Sequence, residues 1–338
     1  MNDVLSLIHP AWIKKHQLDK HVGEVLSLPA KDLLSPRRFD LFSKLYYIQN
    51  RDSRPYLAKR VYYESLRSII PYGKEWGKEN EKSSFSNNRE AFDALIEDFA
   101  NGVFDPSVSI VPVGKDNDLI DGAHRVSTLA FYGKEVEVCR FKDVEVDKFP
   151  YTFFLDRWIS RYVADLTAYE GVRWLVGTNI LIQWAGNQDV PLDVDSVLYR
   201  RRLSVTEREF SRLLSLMGLP EASLDPDHEV VFSFFVPYKD LEISQEQGVL
   251  LIDGQDSVEK AAWLVLTWEG KIKWYKCGRF CCRIASVVDR MFDRVAADAG
   301  HWWFKAREWF KSHLTMPENK LWVRLYRAIS PFWKKTHQ

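Results

Sequence analysis

The chain has 338 residues, 46% of them hydrophobic and 28% charged, the composition of an ordinary globular protein of two domains, or of one domain with a large extension. Its 47 basic and 47 acidic side chains cancel, which argues against a uniformly basic nucleic-acid binder. The balance is uneven, because residues 271–338 hold 15 Lys or Arg against 5 Asp or Glu and the rest of the chain carries the compensating acidic excess.

Residues 1–36 read as a helical lead punctuated by Pro10, Pro29 and Pro36. Met1-Asn-Asp-Val-Leu-Ser shows no basic region before a long apolar stretch, so no secretory signal is expected. Residues 39–70 carry Leu, Tyr and Ile at helical spacing, interrupted near Asp52-Ser-Arg-Pro55, which predicts two helices. The second contains Tyr62-Tyr63-Glu64-Ser65-Leu66. A carboxylate among tyrosines gains basicity when partly desolvated, so Glu64 is a candidate general base; the alternative is a solvent-facing helical Glu. Residues 71–89 form a polar loop. Its Gly73-Lys74 and Gly77-Lys78 pairs fail the P-loop pattern, since Glu79 stands where Ser or Thr should follow the lysine. Lys78 remains a candidate for closing over phosphate, against the plainer reading of an exposed charged loop. A helix is predicted over residues 91–99.

The most informative stretch follows. Residues 109–113 have strand character, Leu119-Ile120 lead into the turn pair Asp121-Gly122, and Val126, Leu129, Ala130 and Gly133 give helical spacing and a C-cap. Residues 135–138 alternate like another strand. An acid, a glycine and a His124-Arg125 pair thus sit at a helix start, where unpaired N–H groups and the helix dipole favour an anion. Gly122 lets backbone approach closely, and Arg125 can grip a phosphate with two N–H groups. The plain alternative is a capped turn whose His and Arg face solvent.

Beyond Pro150, helices are predicted over 151–174 and 204–217, the second opened by the capping-box-like Ser204-x-x-Glu207. Strands are predicted at 230–236, 249–252 and 271–275, with a turn at Asp253-Gly-Gln-Asp256 and a helix from Ser257. The apolar run 175–185 is broken by Gly177, Thr178, Asn179 and Gln183 and is too short to span a bilayer. Cys139, Cys277, Cys281 and Cys282 form no paired framework, and the last three with His301 and His313 fit no common zinc spacing. In the tail, Leu321, Trp322, Leu325, Tyr326 and Ile329 share a helical face amid Lys and Arg, which suits an anionic membrane surface, packing on the protein itself or, ranked third, single-stranded nucleic acid.

Asp121-Gly122-Ala123-His124-Arg125 resembles the helix-start turn of the ParB/sulfiredoxin-like superfamily, whose free-serine kinases carry Asp-Gly-His-His-Arg. More loosely, Phe39-Asp-Leu-Phe-Ser-Lys44, Leu57-Ala-Lys59, Tyr63-Glu64, Gly77-Lys78 and Phe92-Asp-Ala-Leu-Ile96 resemble ParB-like proteins of bacterial surface-polysaccharide gene clusters. The resemblance implies an α+β fold with a ParB/sulfiredoxin-like core over 37–150, between a helical lead (1–36), a second α+β region (151–280) and a basic aromatic tail (281–338). It also implies a cytoplasmic, nucleotide-dependent phosphotransferase acting on a sugar or polyol, with ATP or another nucleotide and Mg²⁺ as cofactors. Gly122, Ala123, His124 and Arg125 would hold phosphate with Lys78 closing, Asp121 would orient the acceptor or a Mg²⁺, and Glu64 would take the hydroxyl proton. Sulfiredoxin chemistry is disfavoured, because Ala123 stands where that reaction needs Cys. The rival readings are a CTP-switching or DNA-binding ParB-like module and a nuclease; superfamily membership does not choose among them.

Overall fold

The computed structural model describes residues 2–71, 84–104, 110–157, 159–184, 192–193, 195–220, 222, 229–237 and 248–267. The fold class is α+β. Two short helices, α1 (Asn2–Leu5) and α2 (Pro10–His16), lead into strand β1 (Glu24–Pro29). This strand corrects the expectation of a purely helical lead. Leu26 and Leu28 turn inward with a two-residue period, and β1 pairs antiparallel with Glu135–Arg140, a partner far along the chain.

Helices α3 (Asp40–Asn50) and α4 (Pro55–Ile69) flank the predicted break, and Pro55 occupies a first-turn position where its missing N–H costs little. Every residue of α3 from Asp40 to Ile48 is buried. Helix α5 (Phe85–Ala100) starts earlier than predicted because Ser84 caps it, accepting from the Asn87 N–H at 3.1 Å. Next come β2 (Val111–Val113), α6 (Ala123–Phe131) and β3 (Glu135–Arg140), with Gly133 in the left-handed conformation after α6 as expected. β2 and β3 run parallel, and the sheet order is β1-β3-β2.

Residues 151–174, predicted as one helix, are two: α7 (Tyr151–Leu155) and α8 (Arg161–Trp174), the latter capped by the Ser160 hydroxyl. Strand β4 (Asn179–Gln183) occupies the apolar run, and β5 (Val197–Leu203) is a strand that the periodicity did not predict. Because β5 stays extended to Leu203, the capping box of α9 (Glu207–Met217) is Thr206 with Glu209, two residues later than expected. Strands β6 (Val230–Phe235) and β7 (Val249–Ile252) and helix α10 (Gln255–Thr267) follow. This second sheet is wholly antiparallel, in the order β5-β6-β4-β7.

One apolar core contains Val111, Val126 and Val138 of the first layer, Leu41, Phe42 and Leu45 of α3, and Ile180, Leu198, Phe232 and Phe234 of the second sheet. Burying each such side chain contributes about 1.5–3 kcal/mol. Packing runs continuously through residue 150. At Gly171 of α8 an added Cβ would stand 2.8 Å from Leu198 and 3.2 Å from Phe42, so only glycine lets α8 approach both. Met1–Tyr275 forms one compact unit; the second, Lys276–Gln338, lies outside the described residues, as do the predicted strand at 271–275 and the Cys277, Cys281, Cys282 cluster. Among the described residues, no helix is long and apolar enough to cross a membrane.

Candidate functional site

The loop between β2 and α6 folds back on the strand it leaves. The Ile120 N–H donates to the Pro112 carbonyl at 3.0 Å, and the Gly114 N–H to the Asp118 carbonyl at 2.8 Å. The chain then reaches Gly122, which has φ 92° and ψ 19° and stands as the N-cap of α6. A Cβ there would lie 3.0 Å from a Val111 methyl, so both conformation and space require glycine. The hydrogen-bond ladder of α6 opens with the Val126 N–H on the Gly122 carbonyl at 2.9 Å, leaving the N–H groups of Ala123, His124 and Arg125 ahead of it. The Ser127 and Thr128 hydroxyls donate back to the Ala123 and His124 carbonyls, each at 2.9 Å, and tie this first turn down.

Gly122 is buried, while Asp121, Ala123, His124 and Arg125 are half-buried. The guanidinium of Arg125 folds back over the turn: one terminal nitrogen lies 3.5 Å from where a Gly122 Cβ would be. Burial pulls its pKa down and the Asp121 carboxylate pulls it back up, and a guanidinium stays charged throughout. His124 is held differently. Its Nε2 is 3.0 Å from the hydroxyl of the buried Tyr62, and its ring packs with Phe92 and Tyr62 at centroid distances of 4.4 and 5.8 Å. Either ring nitrogen of a neutral imidazole can carry the proton, so Tyr62 serves as donor or acceptor according to the tautomer. The arrangement thus combines a fixed cation, an ordered imidazole, an adjacent carboxylate and the positive end of a helix.

Glu64 has partners of its own. Its Oε1 accepts from Arg60 Nε at 2.8 Å, and its Oε2 accepts from the backbone N–H of Ser160, the cap of α8, at 2.7 Å. Two positions on a helix are about 200° apart, so α4 aims Tyr62 at His124 and Glu64 at the start of α8. The tyrosine-rich neighbourhood was visible in the sequence; the direction of the carboxylate was not. Lys78 lies outside the described residues. Among the described residues no group of three or more His, Cys, Asp or Glu is placed to hold a metal ion.

Several residues at the site escaped the sequence reading. Tyr62 and Phe92 box the imidazole, and Arg37 and Arg38 hold the loop that leads to Gly122, with Asp40 and Lys44 behind Arg38. The available signal was Arg38-x-Asp40 with Lys44 four residues on, a charge pattern at a helix start that is otherwise buried. No family model, no curated protein and no solved structure matches the chain.

Proposed function

We propose that the start of α6 binds a phosphate group and that the chain is a nucleotide-dependent phosphotransferase acting on a sugar or polyol. The observation that carries this reading is the left-handed Gly122 opening α6 with the Arg125 guanidinium folded over the same turn. Phosphoryl transfer depends chiefly on positioning and neutralising charge, which such a turn supplies. In this reading the N–H groups of residues 123–125 and the Arg125 fork hold phosphate oxygens, and His124, oriented by Tyr62, adds a further donor. Asp121 orients the acceptor hydroxyl, and with Glu64 turned toward α8 it also takes over acceptance of the hydroxyl proton. ATP or another nucleotide with Mg²⁺ is the implied cofactor; Asp121 is the residue that would hold the ion, which would supply neutralisation of phosphoryl charge. The surface-glycan setting and the ParB/sulfiredoxin-like core rest on the motif resemblance.

The test is transfer itself. Purified chain with Mg-ATP or Mg-CTP and a panel of sugars and polyols should yield an acceptor heavier by one phosphoryl group in mass spectrometry. Nucleotide binding without transfer would favour the switching module instead, and no binding of either nucleotide would end the phosphate reading.

The tail supports a peripheral location on an anionic cytoplasmic membrane face. Residues 300–338 hold eight Lys or Arg against two Glu, with Trp302, Trp303, Trp322 and Trp333 among them, and lie outside the described residues. Each basic residue near such a surface adds about 1 kcal/mol of attraction. The full chain should co-sediment with anionic vesicles at low salt and be released at high salt; a chain that stays in the supernatant at low salt ends this reading.

A further inference from the structure

The loop that delivers Gly122 is gripped by Arg37 and Arg38, which stand just before Phe39, the N-cap of α3. Arg37 donates to the Asp116 carbonyl at 3.2 Å and pairs with the Asp118 carboxylate at 3.0 Å. Arg38 donates from Nη1 to the Leu119 carbonyl at 2.7 Å. Its other donors, Nε and Nη2, hold the two Asp40 oxygens at 2.9 and 3.1 Å, and Lys44 Nζ adds a bond to the same carboxylate at 2.8 Å. The Phe149 ring covers the guanidinium at 5.3 Å. Arg38, Asp40 and Lys44 are 6%, 1% and 4% exposed.

A guanidinium is a rigid planar fork, so fixing two of its donors on Asp40 also fixes the direction of the third. Burial alone would raise the Asp40 carboxyl, but the charges and hydrogen bonds of Arg38 and Lys44 hold it well below the usual carboxylate range. The clamp is therefore ionised at any ordinary pH. Segment 37–39 is itself anchored: the Phe149 N–H donates to the Arg37 carbonyl at 2.7 Å, and the Phe39 N–H to the Phe149 carbonyl at 3.0 Å. A tethered, pre-aimed donor thus ends on a carbonyl three residues before the glycine that starts α6.

We propose that Arg38 is a positioning residue for the anion site: clamped by Asp40, it fixes the Leu119 carbonyl and through it the path of residues 120–122 that sets the first turn of α6. Its functional half rests on the phosphate-binding reading of that turn, whereas its structural half stands apart from it.

The test uses the full chain with three substitutions. Arg38→Lys keeps the charge and loses the fork, Asp40→Asn keeps the shape and loosens the clamp, and Arg201→Met removes an equally buried arginine in the second sheet. Amide hydrogen exchange is followed in peptides covering 119–126, 197–203 and 230–235, beside calorimetric binding of pyrophosphate and ATP. For Arg38→Lys, exchange over 119–126 should rise on the order of tenfold or more with 230–235 near the parent, and ligand affinity should fall by a similar factor. Asp40→Asn should give a smaller rise in the same place. Arg201→Met should lower the melting temperature and loosen 197–203 while sparing 119–126 and the affinity. Unchanged exchange over 119–126 in folded Arg38→Lys, an equal rise in all three peptides, or unchanged affinity where the parent binds would overturn the role. So would loss of the whole fold in both Arg38→Lys and Asp40→Asn, which would make the pair a general stabiliser. Should the parent bind neither probe, the phosphate reading falls by itself, and the exchange pattern still decides what Arg38 does.

Discussion

Arg38 before α3 and Arg201 in β5 are both nearly sealed from water, both pair with an aspartate, and both give a donor to a backbone carbonyl. Around Asp40 stand two cations, Arg38 and Lys44. Asp165 takes Arg201 at 2.9 Å and the Tyr199 hydroxyl, whose pKa burial and the Asp165 charge push well above its ordinary value while Arg201 and Arg161 pull it back. The two aspartates thus differ in their partners, two cations on Asp40 and a cation with a phenol hydroxyl on Asp165. The carbonyls differ too: Leu119 belongs to the loop feeding the α6 turn, whereas Leu266 closes the end of α10. The same pairing of residue types therefore serves two ends. One pair joins α8 to β5 inside the core, and the other lies behind the loop that leads into α6.

The largest expected effect tests whether the Asp165–Arg201 pair is structural alone. Asp165→Ala leaves Arg201 buried without its carboxylate and should cost about 3–5 kcal/mol in urea unfolding, with nucleotide affinity of the folded protein unchanged. A loss of affinity as large as that of a site variant would break the contrast. Next, Arg125→Ala should weaken nucleotide binding by about 1.5–3 kcal/mol while the melting temperature moves little. Calorimetry showing parental affinity in the folded variant would take Arg125 out of the site.

Gly122→Ala comes third, at about 1–2 kcal/mol of stability for a left-handed alanine, read in a thermal melt. Trimming the neighbour with Val111→Ala relieves the 3.0 Å contact but not the φ of 92°, so the double variant should remain impaired in binding. Full rescue would show that space, not backbone conformation, makes glycine necessary. The smallest effect is expected for Glu64→Gln, which weakens partly exposed contacts to Arg60 and Ser160 and should cost under about 1 kcal/mol with turnover nearly unchanged. A hundredfold loss of turnover would identify Glu64 as the general base.

What the sequence revealed follows the range of the forces involved. The α+β class, the paired helices around Pro55, the strand at 230–235 and the strand–turn–helix leading into α6 are set by local periodicity and turn chemistry, and they were legible. Strand β5 was not, because Tyr199-Arg-Arg-Arg202 looks like a solvated charge run until α8 brings Asp165 to Arg201. The break before α8 was hidden for a similar reason: Ser160 caps the helix there, and the carboxylate that supports the cap comes from Glu64, far back in the chain. At the site, the residues on the turn were readable from their types, but the Tyr62 and Arg38 partners depend on helices meeting in space.

Strand β1 has a consequence for how the chain is made. Glu24 pairs with Arg140 and Pro29 with Glu135, so the strand has no partner until well over a hundred residues have left the ribosome. At about 5–20 residues per second this leaves residues 24–29 unpaired for on the order of ten seconds, with Val22 and Val25 open to water even in the finished fold. Once folded, β3 lies between β1 and β2, and losing β1 would turn it into an open sheet edge able to recruit a strand from another chain.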